Sequence, residues 1–322
     1  MMRIPGFDEL EALDFVVQDV SPFVHLLYMR DIAGVSVDSG AFLEQQRVAL
    51  SAAGFENLLS KQLPSGGWLP PDEESAFGPV HRSTGWLLIY FGYLGFNGTE
   101  MPAIQDAVAY AFRHLYDHEQ GLFLSTGRRY PGFAPCESAM LLRALLRLGF
   151  QDDPSVREAC DHHLEAIHGR EGACRHKRGG YPCAWGMTKS LRMLNAFPAD
   201  WRTPAYARTV ETIQAYLLSP HLAQGGFPRS RNSFIDHPRH WTSLGYFRSY
   251  QSDRFEASEA LVESGVTDDP ELQRTLDVVG DKCLDGVTWQ PDYHRGEWPI
   301  RLEANLPSPF LSLRGLRIAQ AL

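Results

Sequence analysis

Long apolar runs are scarce in this 322-residue chain. The longest uncharged stretch, residues 83–99, contains Gly85, Gly92, Gly95 and Gly98. It is marginal for a membrane span, which takes about 20 predominantly apolar residues, and reads as a buried helix. The opening Met1-Met2-Arg3-Ile4-Pro5-Gly6-Phe7-Asp8-Glu9 lacks the apolar core of a signal peptide, so a cytoplasmic protein with no integral membrane segment is expected. Cysteine is sparse and odd in number, at 5, which a closed disulfide framework does not favour. In a reducing compartment the acceptor-like Asn97-Gly98-Thr99 carries no glycosylation meaning. Basic runs are missing too: 30 Lys and Arg stand against 39 Asp and Glu, a net charge of −9. That balance argues against a nucleic-acid partner, whose affinity rests on phosphate neutralisation, and leaves room only for a local basic pocket. No stretch alternates with period two strongly enough to read as a sheet. At 44% hydrophobic residues, the chain is nonetheless globular.

What is present is a repeat. A glycine-rich turn ending in an aromatic occurs at Gly66-Gly67-Trp68, Gly121-Leu122-Phe123, Gly225-Gly226-Phe227 and Gly286-Val287-Thr288-Trp289, with Glu171-Gly172-Ala173-Cys174 between the second and third. A second mark runs in phase: Leu94-Gly95-Phe96, Leu148-Gly149-Phe150 and Ser264-Gly265-Val266, the last two leading into Asp152-Asp153-Pro154 and Asp268-Asp269-Pro270. The period is about 50–60 residues, in the range of stacked structural repeats. Each unit holds two helical stretches. One ends at the Leu-Gly mark, a helix stop with glycine just past the C-cap. The other follows Asp-Asp-Pro, which supplies an N-cap and a first-turn proline. The first kind is apolar, as in residues 86–94, 139–148, 185–194, 241–261 and 310–322; the second, as in 155–167, carries more charge. One apolar and one amphipathic helix per unit implies an inner and an outer layer. The expectation is an all-α chain of about six helix pairs in a single domain over 1–322, closed as an α/α toroid.

The Gln62-Leu63-Pro64-Ser65-Gly66-Gly67-Trp68 string matches the Gln-x-x-x-Gly-x-Trp repeat of squalene and oxidosqualene cyclases, with Gln120-Gly121-Leu122-Phe123 and Gln224-Gly225-Gly226-Phe227 as degenerate copies. The chain therefore resembles the terpenoid cyclase/prenyltransferase α/α-toroid superfamily over nearly its whole length. The resemblance implies the toroid fold and an enzyme acting on an isoprenoid or similar apolar substrate. Neither the Asp-x-Asp-Asp acid of squalene-type cyclases nor an Asp-Asp-x-x-Asp metal motif occurs, which weakens a standard cyclase reading.

The third turn ends in Cys174 where the others end in Trp or Phe. Cys183 opens the next inner helix, and Cys136 opens the preceding one at a roughly equivalent position. Three thiols on one rim follow zinc-ligand logic: soft thiolates, tetrahedral geometry and a fourth position, for which His176 is nearest and His81 second. The resemblance points the same way, since protein prenyltransferases and lanthipeptide cyclases hold zinc with Cys and His. The lanthipeptide Cys-His pair is not reproduced, because Ala184 follows Cys183. Equally, the three cysteines read as small core thiols. Cys160 and Cys283 are expected on outer helices, as core.

Charges in the apolar inner helices are candidates for catalysis, because an unpaired charge facing a cavity is costly. They are Lys189, Arg248, Asp253 and Glu256, with Lys189 and Asp253 foremost. Asp236, His237 and His240 sit in a polar loop as acid–base groups or metal ligands, or as an exposed Asx turn before Pro238. Trp86, Tyr90, Trp185, Trp241, Tyr246, Phe247 and Tyr250 either line a cavity for an apolar chain or are plain core. Arg128, Arg129, Arg175, Lys177 and Arg178 lie in loops where a diphosphate could be met, or are solvated charge. Two further functions stand beside the leading one: a non-catalytic toroid binding a peptide or lipid with structural zinc, and zinc-assisted thiol chemistry of the lanthipeptide-cyclase kind.

Overall fold

The helix stops fall where the glycines are. Gly95, Gly149 and Gly265 adopt φ of +83°, +95° and +92°, a region in which a Cβ is strained. The backbone after two of them closes as a Schellman motif: Phe96 N–H donates to Phe91 O at 3.4 Å and Val266 N–H to Leu261 O at 3.1 Å. The starts are equally local. Asp269 accepts from the N–H groups of Glu271 and Leu272, and Asp153 from that of Ser155 at 2.8 Å.

The computed structural model describes residues 2–19, 21–52, 54–124, 132–169, 174, 182–225, 227, 241–246, 249–292 and 307–322. Among these the chain is mostly helical. In order, the helices are α1 (Glu9–Val17), α2 (Pro22–Asp31), α3 (Gly40–Leu50), α4 (Phe55–Leu59), α5 (Thr84–Tyr93), α6 (Pro102–His114) and α7 (Pro135–Arg147). They continue as α8 (Pro154–Gly169), α9 (Ala184–Asn195), α10 (Pro204–Leu217), α11 (His221–Gln224), α12 (Arg254–Glu263), α13 (Pro270–Gly280) and α14 (Pro309–Ala321).

Two layers follow from composition. All ten residues of α5 are buried, against four of fourteen in α10. Each large apolar side chain of α5 taken out of water contributes roughly 1.5–3 kcal/mol. In the inner layer α5 packs on α7, α7 on α9, α9 on α12, α12 on α14 and α14 on α2. The outer helices α3, α6, α8, α10 and α13 each cover the helix that precedes them, on α2, α5, α7, α9 and α12 respectively, and α1 lies against α14. Close approach needs missing side chains: a Cβ on Gly92 would stand 2.6 Å from Ala144, and one on Gly186 2.9 Å from Pro135. No helix among the described residues is long and apolar enough to cross a membrane.

The glycine turns differ in detail. Two are small antiparallel hairpins, which weak alternation did not predict: β1 (Tyr116–Asp117) with β2 (Leu122–Phe123), and β3 (Cys283–Leu284) with β4 (Thr288–Trp289). Cys283 therefore lies on a strand, not on an outer helix. The indoles of Trp68 and Trp289 share one contact, each donating at 2.8 Å to the carbonyl ten residues earlier, Leu58 and Val279. Gln62 donates to Gly66 O and to Ala103 O of α6 at 2.7 and 2.6 Å, tying its turn to the outer layer.

One inner helix is shorter than expected. Residues 241–261 do not run as a single helix: among the described residues 243–246 and 249–253 are irregular, and α12 starts only after Asp253. Asp253 caps it, accepting from Glu256 N–H at 2.7 Å, and Ser252 turns its hydroxyl to the Glu256 carboxylate at the same distance. Short polar side chains that bond locally favour the cap over the helix interior.

Candidate functional site

Buried charge is concentrated in the inner layer. Lys189 of α9, 2% exposed, donates to both oxygens of Glu256 of α12 at 2.8 Å and to the Tyr93 hydroxyl of α5 at 3.2 Å. One turn on, Arg192 grips Glu259 at 2.7 and 3.0 Å. The same Glu259 meets Arg314 at 3.1 Å and Arg317 at 3.0 Å, both of α14. Arg317 reaches on to Asp31 of α2, which Arg147 of α7 holds at 3.0 Å. Arg314 also pairs with Asp253 at 3.4 Å. Five inner helices are thus joined by one ion-pair network.

Its electrostatics follow from burial and pairing together. Burial alone would raise the carboxyl of Glu256, but Lys189, Arg192 and Arg314 bring it down to about 2. Glu259 is lowered by Arg192, Arg317 and Arg314 against the same desolvation. Asp31 is held far below the carboxylate range by Arg147, Arg317 and Arg30, again against burial. Arg143 of α7 is the exception. Its guanidinium makes no ion pair with a described residue, lies over the Tyr93 ring at 5.6 Å, and is pushed down to about 10 by burial and by the nearby Arg192 and Arg147.

The thiols gather at the other end of the same helices. Cys136 lies in the first turn of α7 and Cys183 is the N-cap residue of α9; both are buried. The two helices pack on each other, and burial, then Cys183, then Glu137 push the Cys136 thiol well above its usual range. Cys174 is buried as well. No cysteine is in a disulfide. Cys160 is core in α8, with burial raising its thiol. No group of three or more His, Cys, Asp or Glu converges among the described residues, and His176 lies outside them.

The aromatic candidates divide. Trp185 lines a small crevice with Ala184, Phe227 and Trp241, with Tyr250 6.2 Å from its ring. Tyr246 stacks on Phe310 at 4.5 Å and donates to Tyr93 O at 3.0 Å, within the charged layer. Trp86 and Tyr90 are fully buried against Phe77 and Phe55. His81 has φ of +63°, with Nε2 3.2 Å from the Ser249 hydroxyl. His237, His240, Phe247, Arg248 and Asp236 fall outside the described residues, as do Arg128, Arg129, Arg175, Lys177 and Arg178.

Of the two leading catalytic candidates, Lys189 is salt-bridged to Glu256, and Asp253 is a helix cap facing Arg314. Glu259, Arg192, Arg314, Arg317, Asp31, Arg143 and Arg147 were missed in the sequence reading. The signal was there: Arg143/Arg147, Lys189/Arg192, Glu256/Glu259 and Arg314/Arg317 each lie three or four residues apart, on one helix face. Comparison of the chain with protein-family models, with curated proteins and with solved structures finds no significant match.

Proposed function

We propose that the chain is an α/α-toroid enzyme of the terpenoid cyclase/prenyltransferase kind, acting on an isoprenoid or similar apolar substrate. One observation carries the reading: Cys136 and Cys183 stand at the N-terminal ends of two inner helices packed on each other, and Ala184 and Trp185, next in the chain after Cys183, line a small crevice with Phe227 and Trp241. The packing of α14 on both α1 and α2 supports the closed ring. Cys136, Cys183, Cys174 and His176 hold zinc in this reading. Zinc bound there supplies Lewis acidity or an activated thiolate or water. The rings of Trp185, Trp241 and Tyr250 bind and exclude water from the apolar chain, and Lys189 and Asp253 remain the proton-handling candidates with His237 and His240.

Elemental analysis of the untagged protein tests the metal: about one zinc per chain is expected, lost in Cys136→Ser and in Cys183→Ser. Zinc absent from the wild type, or retained in both variants, overturns it. Quenching of tryptophan fluorescence by farnesyl diphosphate, weakened in Trp185→Ala, tests the substrate class.

A second reading, a non-catalytic toroid holding a peptide or lipid with structural zinc, is favoured by the Lys189–Glu256 and Asp253–Arg314 pairing, which commits both leading catalytic candidates to structural partners.

A further inference from the structure

The charged end of the inner layer holds more cation than carboxylate. Arg30, Arg143, Arg147, Lys189, Arg192, Arg314 and Arg317 face Asp31, Asp253, Glu256, Glu259 and Glu263, in a chain whose net charge is −9. Part of the surplus is localised. Arg147 shares Asp31 with Arg30 and Arg317, and Arg192 is held by Glu259, whereas Arg143, 7% exposed, acts on Glu263 only through space and has its Nε buried without a hydrogen-bond partner. An uncompensated buried cation costs several kcal/mol in order of magnitude, so a fold that keeps one invites a counter-charge.

A cavity is built around it. Arg143, Arg147, Arg192, Asn195, Ala196 and Glu263 line a space of about 260 Å³ that opens to solvent. Asn195 contributes a second orphan: its Nδ2 donates to Ala260 O at 2.9 Å, and its Oδ1 is buried with no partner. Behind it, a void of about 10 Å³ adds Tyr93, Tyr246, Arg314 and Arg317 to the same three arginines. Arg147 and Asn195 are the last residues of α7 and α9, so the helix carbonyl ends oppose an anion and the guanidinium charge has to outweigh them.

We infer that this cavity binds a small oxyanion, such as hydrogen phosphate. The oxyanion takes the Arg143 guanidinium as its charge-assisted donor, on a wall that Asn195 shares. The space is below that of ordinary drug-sized pockets, which restricts the ligand to a few heavy atoms beyond the anion. Cys136 lies eleven residues before Arg147 on α7, roughly 16 Å along a helix axis, so the site is separate from the thiols.

Thermal unfolding of the full chain with inorganic phosphate, against sodium chloride at matched ionic strength, tests this. A saturable rise in Tm with phosphate alone is expected, with apparent affinity at least tenfold weaker in Arg143→Met. Asn195→Asp, which sets a carboxylate against the anion on the cavity wall, is expected to weaken it at least tenfold as well, and carries the test if Arg143→Met does not fold. No saturable phosphate response in the wild type, or a response unchanged in the folded variants, overturns the inference. Zinc content and isoprenoid binding play no part in this readout, so it stands or falls apart from the thiol site.

Discussion

Two parts of the inner layer solve opposite problems. At the N-terminal ends of α7 and α9 stand small thiols and a ring, Cys136, Cys183 and Trp185. Farther along these helices, and on α12 and α14 beside them, stand Lys189, Arg192, Glu256, Glu259, Arg314 and Arg317, all buried or nearly so. The thiol end depends on shape and, in our proposal, on a metal. The charged end depends on pairing, since a buried ion is tolerated only while its partners stand beside it. Mutations at the two ends should therefore fail in different ways.

The strongest break is Glu259→Gln. It takes the shared carboxylate from Arg192, Arg314 and Arg317 and leaves these three buried cations with only their second partners, Glu256, Asp253 and Asp31. The expected loss is about 3–5 kcal/mol, read by urea unfolding, and a loss under 1 kcal/mol would show that the network tolerates an uncompensated charge. Lys189→Met alone should cost somewhat less, and Lys189→Met with Glu256→Met should recover most of it, because the paired charges leave together.

Acid tests the network from a third position. His163 of α8 bridges Ser138 of α7 and Ser190 of α9, its ring nitrogens 3.1 Å from each hydroxyl, and burial lowers its pKa to about 3. Below pH 6.5 the unfolded chain takes the proton first, so stability falls with pH and levels off near the folded value, a loss of about 3 kcal/mol between pH 6.5 and 4. His163→Gln should flatten that window. Glu256, held at about 2, adds a second loss only below its ordinary range, as pH falls from 4.5 toward 2. Coincident acid transitions in wild type and His163→Gln would remove His163 from the account.

The thiol end gives smaller stability effects. Cys136→Ala removes one sulfur from a packed site and should cost about 1 kcal/mol in metal-free protein. A much larger loss that zinc removal reproduces in the wild type would mark the thiols as metal ligands. The smallest effect is the surface contrast: Glu44→Ala breaks an exposed pair with Arg47 and should leave the urea midpoint unchanged.

Much of the fold was legible because its signals are local. Gly95, Gly149 and Gly265 stop helices through their own backbone freedom, and Asp153 and Asp269 start them through hydrogen bonds within three residues. The apolar layer was readable from α5 for the same reason, and Cys136 and Cys183 stand at helix starts as expected. The candidate site was legible only in part. Lys189, Asp253 and Glu256 stood out against apolar neighbours, but their partners lie on helices more than fifty residues away. Whether Trp185 faces a crevice while Trp86 packs in the core likewise depends on what another helix presents.

The sequence by itself determined the helical class, the ends of several helices and the division into apolar and amphipathic helices, because propensity, capping and periodicity act within a few residues. Only the tertiary structure decided that Asp253 is a cap and not a helix-interior charge, that Glu259 serves three arginines, and that Arg143 makes no ion pair with a described residue. Those outcomes rest on burial and charge compensation among distant segments, and a buried charge takes its meaning from the groups that surround it.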